Sequence, residues 1–365
     1  MLFNLGSVWR LNEMGWLRKI DMITSVSGGS ILNGVLAVGW SKLQWDAQGV
    51  ATNFPQVIAQ PVRAMAGRTL DLVAGIEGLL SIFSSIADKV AEAYDEQLFH
   101  GARLQQDVPA FEKGKTPRFL FYSTSLQTGS SVRIERKRLA DYRIGEIANP
   151  DLAISRVVGA SSAFPPVLSP VELQLDPAAW TPMEGAYLFD RDDFKSKLLL
   201  SDGGVYDNMG LEAIWDRCTT VLVSDAGAPL DADPDPPTDW TRQVIRVLDI
   251  VTEQTRALRR RALMQSFQQA HEAGLEKQAP PEKDGSYWGI KTRIGAYGVA
   301  HPLAVDNAIT GDLQHIRTRL DEFKPAEQGH LINWGYALTD AAMRKYVDPG
   351  NAAAARLPVP EFPLA

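Results

Sequence analysis

The chain has 365 residues, 45% hydrophobic and 22% charged, enough apolar material for one large α/β domain or two ordinary ones. Its formal net charge of −7 argues against duplex nucleic acid as the main partner, because phosphate binding asks for a basic field. The single cysteine, Cys218, excludes an intramolecular disulfide and speaks against a cysteine-based metal site; in the run WDRCTTVLV it reads as a buried thiol.

The opening residues MLFNLGSVWRLNEMGW lack the basic start, apolar run and cleavage site of a secretory signal. They read as an amphipathic helix, with Leu5, Val8, Trp9 and Leu11 near one face and Gly15 as its stop. An apolar run from Ile20 to Val26 leads into Ser27, Gly28 and Gly29, and a second helical pattern follows through Ile31, Leu32, Val35, Leu36, Trp40 and Leu43. Residues 50–115 carry a loosely apolar helical stretch, 70–94, and no convincing strand, so they read as a helical insertion or cap. The nearest approach to a membrane span is 72–87, which is broken by Glu77 and falls short of the roughly 18 uncharged apolar residues required.

Strands begin after Pro117 with RFLFYSTSL and SSVRIERKRL, and Asn149-Pro150-Asp151 marks a helix start at Leu152. Lys197 to Ser201 is a short buried strand ending at Asp202-Gly203-Gly204. A helix from about Leu211 to Arg217 and a strand from Thr219 to Ser224 continue the alternation. An acidic, proline-rich loop, Ala228 to Asp239, precedes a long helix from about Trp240 to Ala273. Gly289 to Tyr297 is strand-like, Trp334 to Tyr346 reads as a closing helix, and the Ala/Pro-rich tail 349–365 as weakly ordered. The organisation expected is one domain, 1–348, with its insertion at about 50–115.

Two segments carry chemistry. Ser25-Val26-Ser27-Gly28-Gly29 has the strand–turn–helix setting and small flanking residues of a nucleophile elbow, with Ser25 standing where glycine is usual. A helix starting after Gly28 would aim its N–H groups and positive dipole end at the serine. The same cluster also suits a tight strand-to-helix turn or a phosphate-binding loop, although no G-K-[ST] follows. Asp202, at the end of an apolar strand and before two glycines, is placed to serve as a base at a sheet edge; an ordinary Asp-Gly turn is the plainer alternative.

Together, SVSGGS around Ser27, LLLSDGGVYDNMGLEAIW around Asp202 and Val158-Gly159-Ala160-Ser161-Ser162-Ala163-Phe164-Pro165-Pro166 between them resemble the patatin-like phospholipase family over roughly residues 1–225. The resemblance implies a three-layer α/β/α fold and a Ser–Asp dyad working without histidine, metal or other cofactor on a lipid or other ester. It implies that Ser27 is the nucleophile and Asp202 the base, that Gly28 and Gly29 supply oxyanion and backbone donors, and that Gly203 and Gly204 support the aspartate loop. The family's further glycine-rich oxyanion stretch would fall before Met1, with Gly6 resembling the glycine in the helix after it, so the chain as written is expected to turn over poorly.

Two other classes compete with this dyad. A Ser–Asp–His triad would draw on His301, the other histidines being His100, His271, His315 and His330; each reads better as a surface or capping residue. A degenerate scaffold would bind a membrane or partner without chemistry. Asp190, Asp192 and Asp193 lack EF-hand spacing and read as a solvated loop, while Asp207 reads as a helix-start residue and Asp225 as a strand-end polar group, either of which could support the nearby dyad. The expected setting is cytoplasmic and without nucleic acid. Leu79, Leu80, Ile82, Phe83 and Ile86, or the cluster Arg256, Arg259, Arg260 and Arg261, could make peripheral contact with a membrane, but core packing for the first and a solvated helix face paired with acids for the second are the readings favoured.

Overall fold

The computed structural model describes residues 1–69, 83–275, 283–317, 321–351 and 353–364. Its first half runs α1 (Leu2–Glu13), β1 (Met22–Ser25), α2 (Gly28–Gly39), α3 (Gln60–Ala66), α4 (Phe83–Tyr94), α5 (Leu104–Asp107), β2 (Arg118–Ser125), β3 (Ser131–Glu135), β4 (Arg138–Asp141) and β5 (Gly145–Ala148). It continues through α6 (Ile154–Ser161), β6 (Val171–Gln174), β7 (Trp180–Thr181), α7 (Asp192–Lys195), β8 (Lys197–Asp202), α8 (Gly204–Asp207), α9 (Glu212–Trp215), β9 (Thr220–Asp225), α10 (Trp240–Leu275), β10 (Asp284–Gly289), α11 (Ala308–Asp312) and α12 (Pro325–Ala342).

The chain divides into two compact units. The first comprises Met1, Leu11–Gly210 and Leu320–Pro325; the second comprises Leu2–Arg10, Leu211–Arg319 and Ala326–Ala365. The sequence reading had one domain with an inserted cap. Because the second unit takes pieces from three separate stretches, no composition shift along the chain marks it.

The first unit is built on a sheet in the order β6-β8-β2-β3-β4-β5-β7, with β1 also paired to β2. Only the β1–β2 pair is parallel; the other pairings in this sheet are antiparallel. β2 is central and buried along nearly its whole length, which is why RFLFYSTS lacks the alternation of a half-exposed strand. The stretch SSVRIERKRL, expected to be one strand, folds back at Arg136 and Lys137 so that Glu135 stands opposite Arg138. Four successive charged residues after Ile134, Glu135 to Arg138, are poor strand interior and suit a two-residue turn.

Register defines the two faces of the sheet. Ser25 lies opposite Phe121, and its hydroxyl receives a hydrogen bond from Asn33 of α2, so α2 covers the face bearing Ser25 and Phe121. Gly210, just after α8, lies against Thr24 and Tyr122 on the opposite face. The sheet therefore sits between helical layers, as the expected α/β/α layering requires.

In the second unit α1 and α12 cross at glycines. A Cβ on Gly6 would stand 1.9 Å from the Ile332 carbonyl oxygen, and one on Gly335 1.9 Å from that of Phe3, so only glycine permits this approach. The buried Arg10 guanidinium pairs with Asp340 at 2.8 Å and donates to the carbonyls of Ala353 and Ala354. The tail expected to be weakly ordered is thus held: Asn333 also donates to the Val359 and Phe362 carbonyls at 2.8 Å each, and Val359 and Leu364 are buried. The strand expected at 289–297 lies earlier. β10 pairs in parallel with β9 and ends at Gly289 opposite Asp225, and Ile294–Tyr297 is a 3-10 turn. The closing helix starts at Pro325, nine residues before the expected Trp334.

The candidate lipid-facing residues Leu79, Leu80 and Ile82 lie outside the described residues; Ile86 is buried. Among the described residues no helix is long and apolar enough to cross a membrane.

Candidate active site

Ser27 sits between the end of β1 and the first turn of α2 with φ 52° and ψ −131°. A serine at positive φ stores strain on the order of 1–3 kcal/mol, which the surroundings must offset. They do so with hydrogen bonds. The Ser27 N–H donates to the Ser161 carbonyl at 3.0 Å, Gly29 N–H to Val26 at 2.9 Å, and Ser30 N–H to Ser27 at 2.8 Å. The Gly28 amide, first in the 12-residue helix, donates to no protein acceptor among the described residues. It is the free N–H at the positive end of the helix, beside a half-buried hydroxyl.

Asp202 ends β8 and is 1% exposed. Its N–H donates to the Ala163 carbonyl at 2.8 Å, and its carbonyl accepts from Thr124 Oγ1 at 2.8 Å. The carboxylate Oδ1 accepts from the Gly204 N–H at 2.7 Å. Gly203 is required by crowding, since a Cβ there would stand 2.5 Å from both the Tyr122 carbonyl oxygen and Val26 Cγ1. Burial pushes the Asp202 carboxyl from 3.8 up to about 6, while the Ser27 hydroxyl and the Gly204 N–H pull it back down. Ser27 is therefore a neighbour of the carboxylate, yet the two make no hydrogen bond of standard geometry here: Oδ2 is buried without a partner among the described residues. Apo sites often hold such pairs loosely.

The C-terminal end of α6 joins the two halves. The Ser161 carbonyl accepts from the Ser27 N–H and from the Gly203 N–H, at 3.0 and 3.2 Å. One oxygen thus fixes the elbow and the aspartate loop together. The Ser161 hydroxyl lies 2.7 Å from that of Ser30, which donates to Ser25 Oγ at 2.9 Å; Ser25 donates in turn to the Leu120 carbonyl at 3.3 Å. With the Ser30 proton committed to Ser25, Ser161 must be the donor to Ser30. The serine at position 25, where glycine is usual in an elbow, is thus part of a buried hydroxyl chain. Nearby, the Tyr94 phenol lies 3.2 Å from Ser162 Oγ. Burial raises it to about 12, the Ser162 hydrogen bond lowers it, and the Asp202 charge raises it further. Sequence reasoning named the Ser161–Ser162 stretch only as a resemblance, and missed Tyr94 because a lone tyrosine on an apolar helix carries no sign of what it faces.

The profile of the patatin-like phospholipase family matches residues 1–215, more than half of the chain and all of the segments just described. The chain belongs to this family. Patatin-like family members are lipid acyl hydrolases. No curated protein matches it. Among solved structures, human GIVD cytosolic phospholipase A2, in complex with methyl gamma-linolenyl fluorophosphonate and terbium chloride, is 11% identical with a TM-score of 0.48. VipD from Legionella pneumophila is 13% identical with a TM-score of 0.39. The match covers 93% of this chain and 56% of the human enzyme, and 94% of this chain and 65% of VipD, so the chain spans about half to two thirds of either.

The remaining candidates fall elsewhere in this patatin-like chain. His301 is exposed and belongs to the second unit, whereas Ser27 and Asp202 belong to the first. Asp207 is buried at the end of α8, where Oδ1 accepts from the Met209 N–H at 3.3 Å. Asp225 is bound by Arg256 at 3.1 Å and by the Tyr287 hydroxyl at 2.8 Å. Arg256 is itself buried and also pairs with Glu253, which removes it from the basic cluster expected at the surface. Asp192 and Asp193 pair with Lys195 and Arg191. Cys218 is half-buried rather than buried.

Proposed function

We propose that the chain hydrolyses a lipid or related ester through an acyl-enzyme, with Ser27 as nucleophile and Asp202 as general base. The observation that carries this is the strained Ser27 at a helix N-terminus beside a buried carboxylate raised to about 6. A hydroxyl is a weak nucleophile until a base takes its proton, and a base near neutrality serves best. Asp202 takes the Ser27 proton as Oγ attacks the ester carbonyl, and the Gly28 N–H donates to the oxyanion. Protonated Asp202 then gives its proton to the leaving alcohol. In the second half it takes a proton from water, the hydroxide attacks the acyl-serine, and the proton returns to Ser27.

Of the elbow amides, Gly29 and Ser30 are already bonded, leaving Gly28 as the donor. Loss of an oxyanion donor costs on the order of 10²–10³ in turnover, which is the share expected of the Gly28 N–H. The test is hydrolysis of a p-nitrophenyl acyl ester by the wild type, Ser27→Ala, Asp202→Asn and His301→Ala. Loss in the first two variants and retention in the third is expected. Loss in His301→Ala would favour a triad, and retention in Ser27→Ala would end the proposal.

Contact with a lipid surface is proposed for α10. Trp240, Val244, Val247 and Val251 recur at three- and four-residue steps, Leu258 follows two turns later, and all are exposed, Trp240 at 77%. Vesicle flotation should retain the wild type and lose Val247→Asp; equal flotation of both would dismiss this face.

A further inference from the structure

Two buried polar atoms have no hydrogen-bond partner among the described residues and stand next to each other in the sheet: Ser123 Oγ and Asp202 Oδ2. Ser123 on β2 is directly opposite Asp202 on β8, and it is fully buried, at 0% exposure. Opposite residues of an antiparallel pair point to the same face, with Cβ atoms about 4.5–5.5 Å apart. On its other side β2 runs beside β1 in the register Ser25 to Phe121; continuing that register two residues past the end of β1 brings Ser27 level with Ser123. β2 thus runs between β8, which ends in Asp202, and β1, which leads into Ser27, with Ser123 directly opposite Asp202.

Buried hydroxyls and carboxylate oxygens are rarely left unsatisfied, because each loses its hydration without recompense. One of these two is a donor and the other an acceptor. A change of staggered rotamer at Ser123 brings its proton toward Oδ2, directly or through one bridging water.

Resting on the Ser27–Asp202 reading, we propose that Ser123 is a positioning residue for the dyad, its hydroxyl donating to Asp202 Oδ2 while that carboxylate is charged. It holds the carboxylate oriented toward Ser27 and favours the ionised form, without touching substrate.

The test compares the wild type with Ser123→Ala, Ser123→Thr and Ser123→Cys. Removing a donor from a carboxylate raises its pKa, so in Ser123→Ala the acid limb of kcat/KM should move up by roughly one pH unit. kcat should fall about fivefold at the pH of the wild-type midpoint, with KM unchanged. Ser123→Thr, which keeps the hydroxyl, should restore the wild-type limb, and Ser123→Cys, a weak donor, should fall between. Tm in Ser123→Ala should fall by a few degrees near pH 8, where the carboxylate is charged, and stay unchanged near pH 4, where it is protonated. Titration of the Asp202 carboxyl carbon by NMR, assigned through Asp202→Asn, gives the same midpoint without turnover. Coincident Asp202 midpoints in the wild type and Ser123→Ala would overturn the proposal, as would a loss of kcat that merely follows a fall in Tm. Failure of the dyad is separate: it would leave Ser27→Ala active while the Asp202 titration still reports on Ser123.

Discussion

Ionising Asp202 in the folded chain costs free energy that the unfolded chain does not spend. Its carboxyl is raised from 3.8 to about 6 by burial. The native state therefore binds the extra proton between those values, and the stability this contributes is full below 3.8 and lost as pH rises through 6. Above that range the penalty is on the order of 3 kcal/mol. Asp202→Asn should accordingly raise Tm at pH near 8 by several degrees and change it much less near pH 4, as calorimetry at the two values would measure. An equal shift at both would mean the carboxylate carries no such cost. The same value sets the activity profile, with kcat/KM rising as pH passes through about 6 because the base must be ionised. At this scale Ser27 and Asp202 were legible in the sequence because each brings its own glycines. Ser123 was not: a serine in an apolar strand looks like any other, and its neighbour is fixed by strand register across the sheet.

The elbow, the β8 loop and the end of α6 act as one assembly. Their coupling runs through backbone groups, the Ser161 carbonyl above all, so side-chain patterns could not disclose it. Gly203 is the position where this packing is tightest. Gly203→Ala places a methyl 2.5 Å from the Tyr122 carbonyl oxygen and from Val26 Cγ1, and should cost about 1–3 kcal/mol in stability. Because it displaces the loop carrying Asp202, ester hydrolysis should fall by about 10²-fold, beyond what unfolding explains. Unchanged activity with normal Tm would show that the loop tolerates displacement. Long elements with strong periodicity, α2 and α10 among them, were readable ahead of the structure. β5, β6 and β7 were not, being two to four residues long and stabilised by pairing rather than by any internal pattern.

Across the molecule, the sequence placed its recognisable motifs in the half that forms the first unit and said little about the second. The reason is physical. The second unit depends on contacts distant in sequence: α1 against α12 at paired glycines, Arg10 with Asp340, and β9 beside β10 with α10 between them in the chain. None of these has a local signature, and the Ala/Pro-rich tail gives no sign in its composition that Val359 and Leu364 are buried. The proposed dyad of Ser27 and Asp202, by contrast, lies wholly within the first unit. Its reactivity is tested most directly by exposing the chain to an alkyl fluorophosphonate and mapping the adduct by peptide mass spectrometry. One adduct on Ser27 is expected in the wild type, none in Ser27→Ala, and strongly slowed labelling in Asp202→Asn. An adduct on another residue, or equal labelling of Ser27 with and without the Asp202 carboxylate, would contradict the account.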